Sequence, residues 1–365
     1  MSASDLIIVT TGGTGGHIFP ALAAAEEFMR RSPETGVIFM GGNYGPEARL
    51  AERAGLEFTA LPVRGVLGRG PRAPGALLRL FVSVVKSWNV LRKKRPRAVI
   101  GFGGYAGFAP VAAARIRGIP SAIHEQNALP GLANRVLGRI SDRVFLSFAD
   151  ENSLFESKKV RITGNPVRAG VVALGERFEA PPEEVKTRRL LVVGGSQGAH
   201  ALNVAVCGAL KKLRERGFEI RHQTGEADLD MVIAEYRKAG MDESRVSAFI
   251  DDMAEAYDWA DLVLCRAGAT TVSELTVAGK PSVLVPFPHA THQHQLQNAR
   301  YLETAGAARI MTQNILAQAD LSEVMGDLFE NSGRLRRMAL AARELAIPDA
   351  ASRLCDAVEE MTRKK

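Results

Sequence analysis

The chain has 365 residues, 46% hydrophobic and 24% charged, which excludes a disordered or fibrous protein and exceeds one ordinary core, so two domains are expected. Its three cysteines, Cys207, Cys265 and Cys355, stand far apart without CxxC or metal-ligand spacing, which excludes a disulfide framework and fits a reducing cytoplasm. The net charge of +7 is local: ten basic residues and no acid lie from Arg64 to Arg97, leaving −3 elsewhere, so one anionic partner at one place is expected.

The opening, MSASDLIIVT, sets an acid before a very short apolar run, which is not a secretory signal. No stretch reaches the roughly 18 uninterrupted apolar residues of a membrane span. A cytosolic protein, or one lying on a cytosolic surface, is expected. The first strand is LIIVTT, and the loop GGTGGH, Gly12 to His17, leads from it into a helical pattern. Glycines there let a ligand approach the backbone, and the helix behind aims its free N–H groups at an anion. A dinucleotide fingerprint does not fit. GxGxxG from Gly13 requires a glycine where Ile18 stands, and the next strand, VIFM, ends in Gly41-Gly42-Asn43 without a ribose-binding acid. A Walker loop is excluded because no GK[ST] follows. His17, at the lip of the loop, can cap the helix. It can equally take a proton from an attacking hydroxyl, its ordinary pKa being near ~6.5.

GALLRLFVSVVKSWNVLRKKRPR (75–97) holds most of the basic charge. On a helix Leu77, Leu80, Phe81, Val84, Trp88 and Leu91 are expected near one face, with Arg79, Lys86 and Arg92–Arg95 around it. Two readings stand: a core helix ending in a solvated basic turn, or a helix lying on an anionic bilayer. Nucleic acid is not expected, since no aromatic-interleaved or recognition-helix motif accompanies the charge. After the strand AVIGFGG comes a second glycine loop, GFGGYAGFAP (101–110), either an ordinary βα turn or a partner of the first in holding a diphosphate or sugar. SAIHE is the next strand, and HEQNALPGLANR (124–135) gathers His124, Glu125, Gln126 and Asn127 at its end. Open α/β sheets bind ligands there, although a satisfied polar loop has the same composition. ITGNPVR (162–168) marks the crossing into the second half, and the polar segment from Ala169 to Arg189, with Pro181-Pro182, is the connector.

LLVVGGSQGAH (190–200) repeats the strand, glycine turn and helix start of LIIVTTGGTGGH (6–17), which points to two Rossmann-like domains rather than a repeat array. IRHQTG, VSAFI, LVLCRAG and SVLVPFP are further strands. Short β-branched runs alternating with helical patterns imply parallel sheets built from βαβ units. In CRAGATTVSELTVAGKP (265–281), Gly268 to Thr271 turn into a helix whose first turn is expected to carry Glu274. That acid can favour the helix dipole or accept from a ribose diol. HATHQHQLQN places His289, His292 and His294 within six residues but without a cysteine or carboxylate, so no metal or other cofactor is expected. The last segment, 348–365, reads as a helix.

GGTGGHIFPAL, GFGGYAGFAP, HEQNALPGLANR, TGNPVR, GGSQGA, CRAGATTVSEL, PFPHATHQHQLQNA and the following AGAA, in that order from about residue 7 to 308, resemble the MurG family. These are bacterial N-acetylglucosaminyltransferases of peptidoglycan synthesis. Where that family often has acids before its HQ pair, this chain has Thr291-His292-Gln293, while His294, Gln295 and Asn298 are kept. The resemblance implies an α/β GT-B fold, two Rossmann-like domains with parallel sheets facing across a cleft. Residues 1–166 would form an acceptor and membrane-facing domain, with the helix at 348–365 packing back on it, and 167–347 a UDP-sugar domain. It implies transfer of N-acetylglucosamine from UDP-N-acetylglucosamine to undecaprenyl-pyrophosphoryl-N-acetylmuramoyl-pentapeptide (lipid I), with inversion, forming lipid II.

The resemblance also implies residue roles. Thr14, Gly15, Gly16 and Asn127 would contact the transferred sugar, and Arg168, Ser196 and the backbone at Ile250 would hold UDP. Ala269, Thr270 and Thr271 would meet the diphosphate, Glu274 the ribose diol and Gln295 the sugar hydroxyls. His17 is the candidate general base, with Glu125 in reserve. Residues 75–97 would seat the protein peripherally on the inner face of the cytoplasmic membrane, an anionic surface, where contacts with other cell-wall synthesis proteins stay open. Two rivals share the donor. A UDP-N-acetylglucosamine 2-epimerase needs neither lipid acceptor nor basic amphipathic segment, and a non-catalytic sugar-nucleotide-responsive module would never release UDP.

Overall fold

Ile7, Ile8 and Val9 in the first strand, β1 (Leu6–Thr10), are wholly buried although their side chains point to both faces. Burial on both faces requires a central parallel strand covered by helices on each side. The computed structural model describes residues 5–363 apart from Thr14, Tyr44, residues 64–72, Glu151, Ser196, His289, Thr291, His292 and Ser332. The chain divides into two compact units, Met1–Arg168 with Asp349–Lys365, and Ala169–Pro348.

In the first unit β1 is followed by α1 (Gly15–Arg31), β2 (Gly36–Gly42), α2 (Glu47–Arg53), β3 (Glu57–Leu61), α3 (Ala73–Lys94) and β4 (Ala98–Gly101). Then come α4 (Gly104–Ile116), β5 (Ser121–Glu125), α5 (Leu132–Ile140), β6 (Arg143–Leu146) and β7 (Val160–Ile162). The strands form one parallel sheet in the order β3-β2-β1-β4-β5-β6-β7. Because β1 and β4 are neighbours, with Val9 opposite Ile100, the loops that follow them meet at the C-terminal edge of the sheet.

The second unit begins with α6 (Ala169–Glu176), β8 (Arg189–Val193), α7 (His200–Glu215), β9 (Glu219–Gln223), α8 (Leu229–Ala239) and β10 (Val246–Ser247). It continues with α9 (Met253–Trp259), β11 (Leu262–Cys265), α10 (Ala269–Ala278), β12 (Ser282–Leu284), α11 (His294–Thr304) and β13 (Ala308–Ile310). Three helices close it, α12 (Gln313–Leu316), α13 (Leu321–Glu330) and α14 (Arg334–Glu344). Its parallel sheet runs β10-β9-β8-β11-β12-β13.

The last helix, α15 (Ala350–Arg363), returns to the first unit, where Leu354, Cys355, Val358 and Met361 join Ile7, Val9, Ile18, Phe28 and Phe39 in one core. Arg31 of α1 pins its outer side through Asp356 at 2.6 Å and the Ser352 carbonyl at 2.8 Å. The apolar face decides the attachment. Each fully buried aliphatic side chain contributes about 1.5–3 kcal/mol, against about 0–1 for a partly exposed ion pair.

All nine strand runs expected from the sequence are strands. Four others, β3, β6, β7 and β13, are short, carry Arg or Glu, and lie at or beside sheet edges. Helix α3 departs from the single apolar face expected of it. Leu80, Val84, Trp88 and Leu91 turn inward onto the core, and the Arg117 guanidinium covers Trp88 at 4.9 Å. Leu77, Leu78, Phe81, Val82 and Val85 turn outward and are 44–65% exposed. Phe81 and Trp88 therefore belong to different faces. The wider basic stretch starts at Arg64, and its part through Arg72 lies outside the described residues.

Candidate active site

The first glycine loop is shaped as much by the second as by any ligand. A Cβ on Gly12 would lie 2.7 Å from the Ala106 Cβ, and one on Gly104 would lie 1.9 Å from the Gly12 carbonyl oxygen. Gly104 also has φ +71°, in the left-handed region that glycine occupies without strain. The Thr10 hydroxyl donates to the Ala106 carbonyl at 3.3 Å, tying the two loops further. Their interlocking sets the N-termini of α1 and α4 side by side at the C-terminal edge of β1 and β4, where the aligned peptide dipoles favour an anion. Gly15 is buried in the first turn of α1 and Gly16 is exposed beside it; Thr14 lies outside the described residues.

Glu47 was not singled out from the sequence. It opens α2, is 2% exposed, and accepts from the Gly13 N–H at 3.0 Å. Gly41, Gly42 and Gly45 crowd round its side chain, so the glycines after β2 make room for an acid that holds the loop. No ribose is needed to explain them.

At the end of β5 four polar groups form a chain. The His17 Nδ1 lies 2.7 Å from Gln126 Oε1, Gln126 Nε2 lies 3.0 Å from His124 Nδ1, and His124 Nε2 lies 2.9 Å from the Gly164 carbonyl. His124 is wholly buried, and loss of water pushes its pKa down to about 4. Glu125 points the other way. One oxygen accepts from the Asn127 N–H at 3.0 Å and Asn127 Nδ2 at 3.1 Å, the other from the Gly131 N–H at 3.1 Å and Asn134 Nδ2 at 2.8 Å. Four donors on a buried carboxylate make it the organiser of the loop from Gln126 to Gly131. Arg168 belongs to the same unit, its guanidinium 4.5 Å over the ring of Phe19 in α1.

In the second unit the loop before α7 turns on Gly195 and Gly198, both at positive φ, and Ser196 lies outside the described residues. The Ile250 N–H donates to the buried Gln223 side chain at 3.1 Å, so that donor is committed within the unit. Gln223 escaped the sequence reading, although it stands in the quoted run IRHQTG. Ala269, Thr270 and Thr271 open α10 after Gly268, and no acid stands in the first turn. Glu274 sits a turn further in than expected, because the helix starts at Ala269; it is 1% exposed and accepts from the Tyr257 hydroxyl at 3.1 Å. A role for Glu274 at the helix dipole is thereby removed, since the dipole acts within the first turn.

Gln295, in the first turn of α11, accepts from the Phe287 N–H at 2.9 Å, and Asn298 donates to the Ala267 carbonyl at 3.1 Å. Arg266 is a further residue that the sequence did not mark. Its guanidinium reaches the Val285 carbonyl at 3.2 Å and Gln313 at 3.1 Å, and burial pulls its pKa down. It joins the loop after β11 to the loop after β12. A cavity of about 310 Å³ in this unit, lined by Phe178, Arg189, Trp259 and Lys280 among others, lies at the opposite, N-terminal ends of the strands and touches none of these residues. Among the described residues no cluster of His, Cys, Asp or Glu could hold a metal ion, and no helix is long and apolar enough to cross a membrane.

Residues 7–146 match the N-terminal domain model of glycosyltransferase family 28, and residues 189–354 match its C-terminal domain model. The chain is 55% identical, over 97% of both lengths, to the UDP-N-acetylglucosamine--N-acetylmuramyl-(pentapeptide) pyrophosphoryl-undecaprenol N-acetylglucosamine transferase of Nitratidesulfovibrio vulgaris. The crystal structure of Acinetobacter baumannii MurG is 33% identical, with a TM-score of 0.74 over 97% of this chain and 99% of that one. The chain belongs to the MurG group of glycosyltransferase family 28. The fold by itself would not have separated that group from others. A Listeria monocytogenes protein described as a putative UDP-N-acetylglucosamine 2-epimerase has a TM-score of 0.68 over 100% of this chain and 98% of its own, at 14% identity. At that identity only the architecture is shared; the MurG assignment rests on sequence similarity running through both domains.

Proposed function

We propose that the chain transfers N-acetylglucosamine from UDP-N-acetylglucosamine to N-acetylmuramyl-pentapeptide pyrophosphoryl-undecaprenol, converting lipid I to lipid II. The observation that carries this reading is 55% identity over 97% of the chain to a transferase of that description. The reaction is an inverting displacement. A hydroxyl of the muramyl sugar forms a bond to the anomeric carbon, the bond from that carbon to UDP breaks, and its electron pair leaves with the diphosphate. A base must take the hydroxyl proton, and positive potential must meet the charge on UDP.

His17 is the better base on geometry. Its ring is partly exposed and its Nε2 accepts no hydrogen bond among the described residues, whereas every oxygen lone pair that Glu125 would need is directed at a loop donor. Glu125 then serves by holding Asn127 in place for the transferred sugar, of which Thr14, Gly15 and Gly16 are further contacts. The opening turn of α10, at Ala269, Thr270 and Thr271, takes the diphosphate charge, with Ser196 and Arg168 as further UDP contacts. The Ile250 carbonyl receives the base, Glu274 the ribose diol and Gln295 the sugar hydroxyls. Glu274 can do so only if the diol replaces part of its present packing, since the side chain is 1% exposed.

The outer face of α3 completes the reading. Leu77, Leu78, Phe81, Val82 and Val85 are exposed together, with Arg79, Lys86, Arg92 and Lys93 exposed on the same helix. An apolar face ringed by cations lies on an anionic bilayer, which here would be the cytoplasmic membrane that carries the lipid substrate.

The test is UDP release with and without a short-chain lipid I analogue. Release only with the analogue is expected. Formation of the 2-epimer from UDP-N-acetylglucosamine alone would move the chain to the rival class, and donor binding without release would make it a sensor. His17→Ala is expected to cut turnover by roughly 100-fold or more, the scale of a lost general base, with donor affinity nearly unchanged. Full turnover in that variant removes His17 from the role.

A further inference from the structure

We propose that Gln126 and His124 are positioning residues that fix the proton of neutral His17 on Nδ1 and so leave the Nε2 lone pair for the acceptor hydroxyl. The inference rests on the reading of His17 as the base and adds the device that prepares it.

Gly164 lies in the TGNP turn after β7. A carbonyl oxygen only accepts, so the His124 Nε2 at 2.9 Å must carry a hydrogen. The Thr163 hydroxyl donates to the same carbonyl at 3.1 Å, which holds that oxygen in place. His124 is fully buried against the ring of Phe102, 5.2 Å between centroids, and a buried imidazole stays neutral at physiological pH. With its single hydrogen on Nε2, its Nδ1 is a bare lone pair. That lone pair lies 3.0 Å from one terminal atom of Gln126, which must then be the amide nitrogen. The same nitrogen donates to the His124 carbonyl at 3.2 Å, a second contact an amide oxygen could not make. The other terminal atom, the oxygen, faces His17 Nδ1 at 2.7 Å. An amide oxygen only accepts, so His17 Nδ1 carries the hydrogen. A backbone carbonyl thus sets, through two side chains, which nitrogen of His17 carries the proton.

The arrangement parallels a triad in which a carboxylate orients the histidine, with a neutral amide in that place. The difference has a purpose here. An amide accepts from both the neutral and the protonated ring, so His17 is oriented without a buried negative charge that would hold its proton after transfer. His124 and Gln126 face His17 from the end of β5, and a Cβ on Gly103 would be 3.3 Å from its ring and 3.6 Å from Asn134 Nδ2. His124 is the titratable one among them, and Glu125, next in sequence, is directed into its own loop.

Long-range ¹H–¹⁵N spectra of the full chain labelled at histidine read the tautomer directly, with His17→Gln to assign the resonance. The expected spectrum of the unaltered protein has neutral His17 protonated on Nδ1; a proton on Nε2 overturns the proposal without any variant. In Gln126→Met, which keeps the length of the side chain but not its acceptor, the proton is expected to leave Nδ1 for Nε2. Turnover should fall about 10-fold or more with the KM for UDP-N-acetylglucosamine unchanged, as for a mispositioned base. Gln126→Met should also move the acid limb of the kcat–pH profile down, because the protonated ring loses its acceptor. Gln126→Glu should move it up, because a carboxylate favours the protonated ring. A merely structural glutamine would shift both limbs alike or neither, and that result refutes the inference. If His17→Ala keeps full turnover while the Nδ1–H tautomer is observed, the base reading fails and the positioning stands. If His17→Ala is inactive and the tautomer is Nε2–H, the positioning alone fails.

Discussion

Glu125→Gln separates a carboxylate that holds a loop from one that moves a proton. The side chain is 2% exposed, and its two oxygens accept from Asn127 N–H, Asn127 Nδ2, Gly131 N–H and Asn134 Nδ2 at 2.8–3.1 Å. Glutamine keeps one oxygen and turns the other acceptor into an NH₂ that faces two donors. Losing two charge-assisted hydrogen bonds at about 1.5–3 kcal/mol each gives a loss of about 3–6 kcal/mol. That is a large part of the ~5–15 kcal/mol that holds an ordinary domain folded. Thermal and urea unfolding of the variant, measured beside turnover with a lipid I analogue, decide the question. A large drop in stability with turnover falling in step is expected, since Asn127 and the neighbouring loop lose their anchor. A protein that melts like its parent but turns over 100-fold more slowly would rule out the loop-holding role and make Glu125 the base in place of His17.

Three further outcomes follow from the same geometry. Gly104→Ala should destabilise by at least about 2 kcal/mol, from the left-handed φ of +71° and from a Cβ 1.9 Å from the Gly12 oxygen; Gly118→Ala, at φ +67° with open space around it, supplies a control for the conformational part alone. Urea unfolding should show stability falling below about pH 6.5. Burial holds His124 near 4 and His222 near 3 in the folded protein, so the unfolded chain binds protons first and the neutral-ring stability, complete above the unfolded value, is lost as pH falls towards those folded values. At pH 5.5 each site costs roughly 1.4 kcal/mol, one in each unit, and a flat profile from pH 7.5 to 5.5 would contradict it. Leu78→Ser with Phe81→Ser should abolish binding to anionic liposomes while Trp88→Phe leaves it intact, because Trp88 lies on the inward face of α3; the reverse pattern would overturn the membrane reading.

Much of the architecture was legible in the sequence because parallel strands buried on both faces are nearly continuous apolar runs. LIIVT, AVIG and LLVV could hardly be anything else, and their alternation with helical patterns specifies parallel sheets. The strands that escaped are those for which this physics weakens. EFTAL, VRI and ARI are edge strands and RVFL lies next to one, where partial exposure permits charged residues and the pattern loses its period. Helix α3 failed for a related reason. Apolar residues cover more than one stripe, and periodicity alone cannot divide a stripe that meets the core from one that meets something else. The sheet beneath decides, by taking Leu80, Val84, Trp88 and Leu91 and leaving Phe81 outside.

The site was legible as residue types at strand ends and illegible as contacts. The run HEQN displayed its four polar side chains together, yet adjacent residues in sequence divide here into two separate systems. Glu125 and Asn127 serve their own loop, while His124 and Gln126 reach His17, which lies 109 positions before Gln126. Alternation along the end of a strand causes the division, since successive side chains point to opposite faces. A glycine run carries the same ambiguity in stronger form. The absence of a side chain looks identical whether a phosphate, a buried carboxylate or another loop must come close. At Gly12 the neighbour is Ala106, and at Gly45 it is Glu47. Among the described residues of the first loop, Gly13 and Gly16 are the exposed glycines, and they keep the open surface expected where a glycine meets a ligand. The count of glycines in the loop therefore overstates its ligand surface. His17 carries more information than the glycines, because a line of donors and acceptors joins its Nδ1 to a backbone carbonyl.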